Sequence, residues 1–160
     1  MAGRTLPFAL PPLEAVLLRR HGAAVAALVD AGWKPYATPI TMDAERRRLL
    51  NVDLTEPEVA WHAGDEIAAV AHVEADRAGD VTHLEITAAA AVAPETLADA
   101  LLGSPGAPKL GGGVEAREWI WGPEAGSGGM VGGVPVRLWV CLERAYGDRL
   151  WAIASLVRRG

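Results

Sequence analysis

Two copies of one triplet, His72-Val73-Glu74 and His83-Leu84-Glu85, flank a turn within residues 66–90, and this repeat constrains the fold more than any other stretch. A tight turn centred on Ala78-Gly79, between Arg77 and Asp80, pairs residues whose numbers sum to 157. Val73 then faces Leu84 and Ala71 faces Ile86. In that register Ile67, Ala69, Ala71, Val73, Leu84, Ile86 and Ala88 share one apolar face, as the two-residue repeat of a strand requires. The opposite face carries Glu66, His72, Glu74, His83, Glu85 and Thr87, with His72 set against Glu85 and Glu74 against His83.

That square of two imidazoles and two carboxylates has two readings. His72, Glu74, His83 and Glu85 are ligand types that zinc, iron(II) or manganese accepts, and an ion with an open position could activate water. Without a metal, a Glu/His pair can still move protons near neutral pH. The plainer reading is two cross-strand pairs on a solvated sheet face, each contributing about 0.2–1 kcal/mol. The spacing matches no strong metal signature, so the plainer reading is preferred and no cofactor is expected, a divalent metal being the alternative. His62, next to Glu66 across a turn, lies too far along the strand to join the square.

A single cysteine, Cys141, rules out an internal disulfide framework and reads as a core residue in an apolar run. With 15 basic and 20 acidic residues the net charge is −5. The only basic cluster is Arg46-Arg47-Arg48, so no basic stripe marks a nucleic-acid binder. No apolar run approaches the ~20 residues of a spanning helix, and no signal pattern opens the chain. The expectation is a soluble cytoplasmic protein.

Along the chain, residues 1–11 read as an extended, proline-broken arm holding the only phenylalanine, Phe8. Residues 12–160 read as one α+β domain. Pro12 to Ala31 carries an apolar helical stripe (Leu13, Val16, Leu17, Ala24, Leu28, Ala31) ended by Gly32. Tyr36–Met42 and Arg47–Leu54 suggest a hairpin, with Pro39 at a sheet edge. Val59 and Trp61 begin a short strand. A three-residue loop, Ala63-Gly64-Asp65, would set Trp61 beside Ile67. Pro94–Leu102 is a short helix stopped by Gly103, residues 104–113 a Pro/Gly-rich connection, and Val114–Trp121 a strand. The glycine-rich loop 122–133 leads into a strand and lacks a P-loop lysine, so it reads as a mobile connection or lid. The last hairpin, Val134–Ala145 with Arg149–Arg158, turns at Gly147-Asp148. Its expected pairing sum of 295 sets Leu142 against Ile153, Leu138 against Val157, Cys141 against Ala154 and Trp139 against Leu156, with both faces apolar.

These elements predict a strongly twisted, open or partly closed antiparallel sheet of about seven or eight strands, with an N-terminal helix and one short mid-chain helix. Trp119, Trp121 and Trp139, with Met130 of the glycine-rich loop, are the candidate pocket or interface residues. The function expected is non-enzymatic: a binding or assembly protein acting on another protein or on itself as a homodimer. Its contact surface would be the apolar arm, the tryptophans and the last hairpin. Neither nucleic acid nor membrane is an expected partner. The alternative is a small metal-dependent or acid/base enzyme, or a ligand-binding protein, using the His/Glu square.

Overall fold

The structure, a computed structural model, describes residues 6–36, 50, 57–89, 92–144 and 149–157. Its strands are β1 (Lys34–Pro35), β2 (Val59–Ala63), β3 (Glu66–Ala75), β4 (Val81–Ala88), β5 (Lys109–Gly112), β6 (Ala116–Trp121), β7 (Gly129–Val131), β8 (Val134–Glu143) and β9 (Arg149–Leu156). All nine join one sheet, eight in the order β1-β2-β3-β4-β9-β8-β6-β5 and β7 beside β8 off that path, and every pairing is antiparallel. β7 pairs with the first residues of β8 and β6 with its later ones, along the edge of β8 away from β9. Among the described residues the sheet is open, ending at β1 and β5. This α+β arrangement has nine strands among the described residues against the seven or eight expected, and those not foreseen are β1 and, from the Gly-rich stretches read as connections, β5 and β7.

The central hairpin takes the expected register, with His72 opposite Glu85 and Glu74 opposite His83. Its turn is built by Asp76, whose Oδ1 accepts hydrogen bonds from the Ala78 and Asp80 N–H groups, both at 3.0 Å. Gly79 at φ 90° supplies the left-handed residue, and a bulge after Glu74 absorbs the odd residue.

The β2–β3 turn departs from expectation. Its loop is two residues long, because Ala63 pairs with Glu66, and a register shift sets His62 against Ile67 but Trp61 against Ala69. Trp61 still packs on the main core. Ile67 does not. The extra residue reverses the alternation, so Ile67 joins Leu50, Ala60 and Val70 in a second small cluster.

The expected helix from Pro12 to Ala31 is broken. A 3₁₀ turn spans Leu13–Ala15, and α1 runs only from His21 to Asp30. Between them Leu18 takes φ 63°. Its N–H donates to Val81 O and the Val81 N–H donates to Arg19 O, both at 2.8 Å. Pairing with the start of β4 thus replaces helical hydrogen bonds over these residues. The apolar stripe survives the break: Leu13, Val16, Leu17, Ala24 and Leu28 are all buried. α2 (Pro94–Leu102) matches its expected bounds, with Pro94 in its first turn and Gly103 at φ 78° after its end.

Both α-helices of the described residues lie on one face of the sheet. Ala24 and Leu28 of α1 and Leu97, Ala98 and Leu101 of α2 share a core with Ala71, Val73, Leu84, Ile86, Leu138, Val140, Ala152 and Ala154. We call this the inner face. The N-terminal arm is part of it: Phe8 is buried and the Trp33 Nε1–H donates to Ala9 O at 2.7 Å. Phe8 is therefore core and not a contact surface. Among the described residues no helix is long and apolar enough to cross a membrane. The expected hairpin of residues 36–54, Arg46–Arg48 and the Gly147-Asp148 turn lie outside the described residues, Tyr36 and Leu50 excepted.

Candidate functional site

The outer face of the sheet is organised in cross-strand rows. One row runs Val70, Thr87, Trp151, Cys141, Glu118, and the next His72, Glu85, Ile153, Trp139, Ile120. These rows rest on a register of β8 and β9 that differs from the expected one: Leu138 meets Ala154 and Trp139 meets Ile153, so the pairing sum is 292. An odd shift exchanges faces. Trp151 and Ile153 consequently stand outward with Trp139 and Cys141, while Leu138, Val140 and Leu142 share the inner face with Leu150, Ala152 and Ala154.

Size explains how these rows pack. Trp151 stands between two small residues, Thr87 and Cys141, which are 1 % and 5 % exposed. Trp139 meets Trp151 edge-on, with ring centroids 5.2 Å apart at 85°. The Trp151 Nε1–H donates to Glu85 Oε2 at 3.1 Å, which holds one member of the aromatic pair against the polar half of the face. Trp139, Trp151 and Ile153 themselves remain only half-buried.

The His/Glu square has the expected pairing but not a common focus. Glu85 turns to Trp151, and His83 Nδ1 shares a 2.8 Å hydrogen bond with its neighbour Thr82 Oγ1. His72 Nδ1 lies 3.4 Å from Glu58 Oε1, which is also 2.7 Å from His21 Nε2. Glu74 is exposed. Among the described residues no three His, Cys, Asp or Glu side chains converge as a metal site. Glu58, just before β2, is the residue the sequence reading missed. It links the start of α1 to β3 with its other oxygen buried and without a hydrogen-bond partner, and a lone glutamate before a strand carries no periodic signal.

The expected tryptophan pocket is divided by the sheet. Trp119 and Trp121 pair with Val140 and Leu138 and face inward. Trp121 is buried, its Nε1–H donating to Gly106 O at 3.1 Å. Trp139 stands on the outer face, so the three cannot line one cavity. Met130 is exposed and lines a separate cleft of about 270 Å³ with Pro12–Glu14 and residues 99–103 at the end of α2. The glycine-rich loop is pinned: the Gly128 N–H donates to Pro105 O at 2.7 Å, β7 pairs with β8, and Val131 is buried. Arg137 anchors it further through Glu124, whose carboxyl it holds below the usual range.

Cys141 is buried, as the sequence predicts, though on the outer face opposite Trp151 across the β8–β9 pairing. Burial, with smaller contributions from Glu143 and Glu118, pushes its thiol up to about 11. At pH 8 roughly one thiol in a thousand is then ionised, so alkylation by iodoacetamide should be slow in the folded protein and fast in denaturant. Equal rates in both states would contradict this burial. No family model, curated protein or solved structure matches the chain.

Proposed function

We propose that this chain is a non-enzymatic binding protein that works by protein contact, with a homodimer joined through the outer face as its basic form. The observation that carries this reading is the half-buried Trp139–Trp151–Ile153 patch on the face opposite the two described α-helices. Large aromatics beside an aliphatic residue, rimmed by Glu85, Arg137 and Glu118, have the composition of an interface centre and its polar rim. The enzymatic alternative depended on a His/Glu square, and two of its four members are bound to Trp151 and Thr82 instead. A single buried thiol suits the reducing cytoplasm as its location.

Sedimentation velocity across a range of protein concentrations tests the dimer. The parent should sediment as a dimer burying about 800 Å² per subunit. Ile153→Glu, which puts an unpaired carboxylate at the centre of the patch, should dissociate it at least about 100-fold more readily. Circular dichroism should be unchanged, because Ile153 lies outside the main core. A parent that stays monomeric at every concentration, or a variant that dimerises equally well, would remove this interface.

A further inference from the structure

We propose that the open edge of β5 binds an extended acidic peptide as an added strand, with Arg117 and Arg144 taking its carboxylates. β5 is the last strand in the sheet order, so one side of its backbone has no neighbour among the described strands. All four of its residues are exposed, and Leu110 is 67 % exposed. The Gly113 N–H donates to Ala116 O at 2.8 Å. Counted from that bond, the alternation of an antiparallel ladder turns the Gly111 backbone toward β6 and the Leu110 N–H and C=O outward. A peptide lying along this edge would find a donor and an acceptor at Leu110. At Gly112 it would meet no side chain of the strand itself, and at Gly111 only the neighbouring Glu118, whose Oε2 lies 3.3 Å from where a Cβ would stand.

Charge identifies the occupant. Gly111, Gly112, Gly113, Val114, Arg117 and Arg144 line an open cleft of about 390 Å³ at the tip of the β5–β6 hairpin. Arg20, Arg137 and Arg149 each have a carboxylate partner. Arg117 and Arg144 do not, and the nearby Glu115 and Glu118 form no ion pair with them among the described residues. Arg117 lies over the Trp119 ring, 5.6 Å from its centroid, an arrangement that steadies the guanidinium while leaving its donors available. In a chain of net charge −5, this corner offers unpaired positive charge beside an open strand edge. That combination is how strand-addition sites obtain affinity from the backbone and selectivity from flanking groups. A second copy fits worse: antiparallel β5–β5 pairing would bring Lys109, Arg117 and Arg144 of both copies together.

This edge is a surface separate from the outer-face dimer. The test therefore uses both the parent and Ile153→Glu, so that loss of the dimer and loss of peptide binding are read separately. The probe is a short fluorescent peptide alternating aspartate with valine, followed by anisotropy. Its control has the same charge, but proline replaces alternate residues and blocks strand pairing. Parent and Ile153→Glu should bind the first peptide alike, and more weakly as salt rises. Arg117→Gln/Arg144→Gln should weaken binding at least about tenfold. So should Leu110→Pro, which removes an outward N–H and leaves the β5–β6 bonds in place. Circular dichroism establishes that both variants fold. No binding of the acidic peptide, equal binding of the proline control, an unaffected Leu110→Pro variant, or self-association that Leu110→Pro abolishes would each overturn the proposal.

Discussion

Trp33→Ala should be the most damaging single substitution in the N-terminal half, destabilising the fold by about 3–5 kcal/mol. Trp33 is 1 % exposed. Its ring meets Phe8 edge-on at 5.5 Å and Trp61 edge-on at 5.8 Å, and its Nε1–H holds the arm through Ala9 O. Gly32 makes this packing feasible, since at φ 115° a Cβ there would approach the Trp61 ring to 2.9 Å. Alanine at position 33 leaves a cavity where the arm, the end of α1 and the β2–β3 hairpin meet. In a chain of this size the loss corresponds to a fall of about 10 °C or more in melting temperature. The arm should also become the first site of proteolytic cleavage. Trp33→Phe keeps most of the apolar contact and should cost only about 1–2 kcal/mol. Thermal unfolding with limited proteolysis measures both variants, and an alanine variant within 1 kcal/mol of the parent would show that the arm is not anchored through this ring.

The contrast between the two long hairpins explains what could be read from the sequence. In β3–β4 a turn with one glycine and a strictly alternating pattern give the same register, and each checks the other. In β8–β9 apolar residues occupy both faces, Leu138 and Val140 inward and Trp139 and Cys141 outward. Any register therefore buries apolar groups, and the turn alone had to decide it. The three-residue difference moved Trp151 and Ile153 to the outer face, which is why the Trp139–Trp151 pair was not foreseen. The break in the first helix was hidden for a similar reason: Leu18 pairs with a strand 63 positions away in the chain, and nothing in its own neighbourhood signals a left-handed backbone. α2, bounded by Pro94 and Gly103, depends only on local signals and was fully legible.

If hydrophobic pattern leaves the β8–β9 register undecided, another interaction must select it, and the Glu143–Arg149 pair is suited to that role. The two residues are directly opposed in the observed register. The Arg149 Nη2–H donates to Glu143 Oε1 at 2.7 Å, with side chains 6 % and 17 % exposed. In the alternative register with a pairing sum of 295, Glu143 would face Ala152 and the pair would be lost. Glu143→Leu removes one partner of a buried guanidinium and should cost about 3 kcal/mol, and Arg149→Leu at least as much, because Arg149 has further interactions. The double replacement Glu143→Leu/Arg149→Leu should recover part of that stability, since neither member of this pair is left buried opposite an apolar replacement. Register fidelity should not recover with it. Hydrogen exchange along β8 and β9 should be faster in the double variant than in the parent at matched stability, as strands with two apolar faces slip between pairings. Denaturant melts and exchange rates measured on the same four proteins separate the two effects. A double variant as unstable as either single one would mean that Arg149 acts through its other partners. Unchanged exchange would mean that packing of Trp139 and Trp151 alone sets the register.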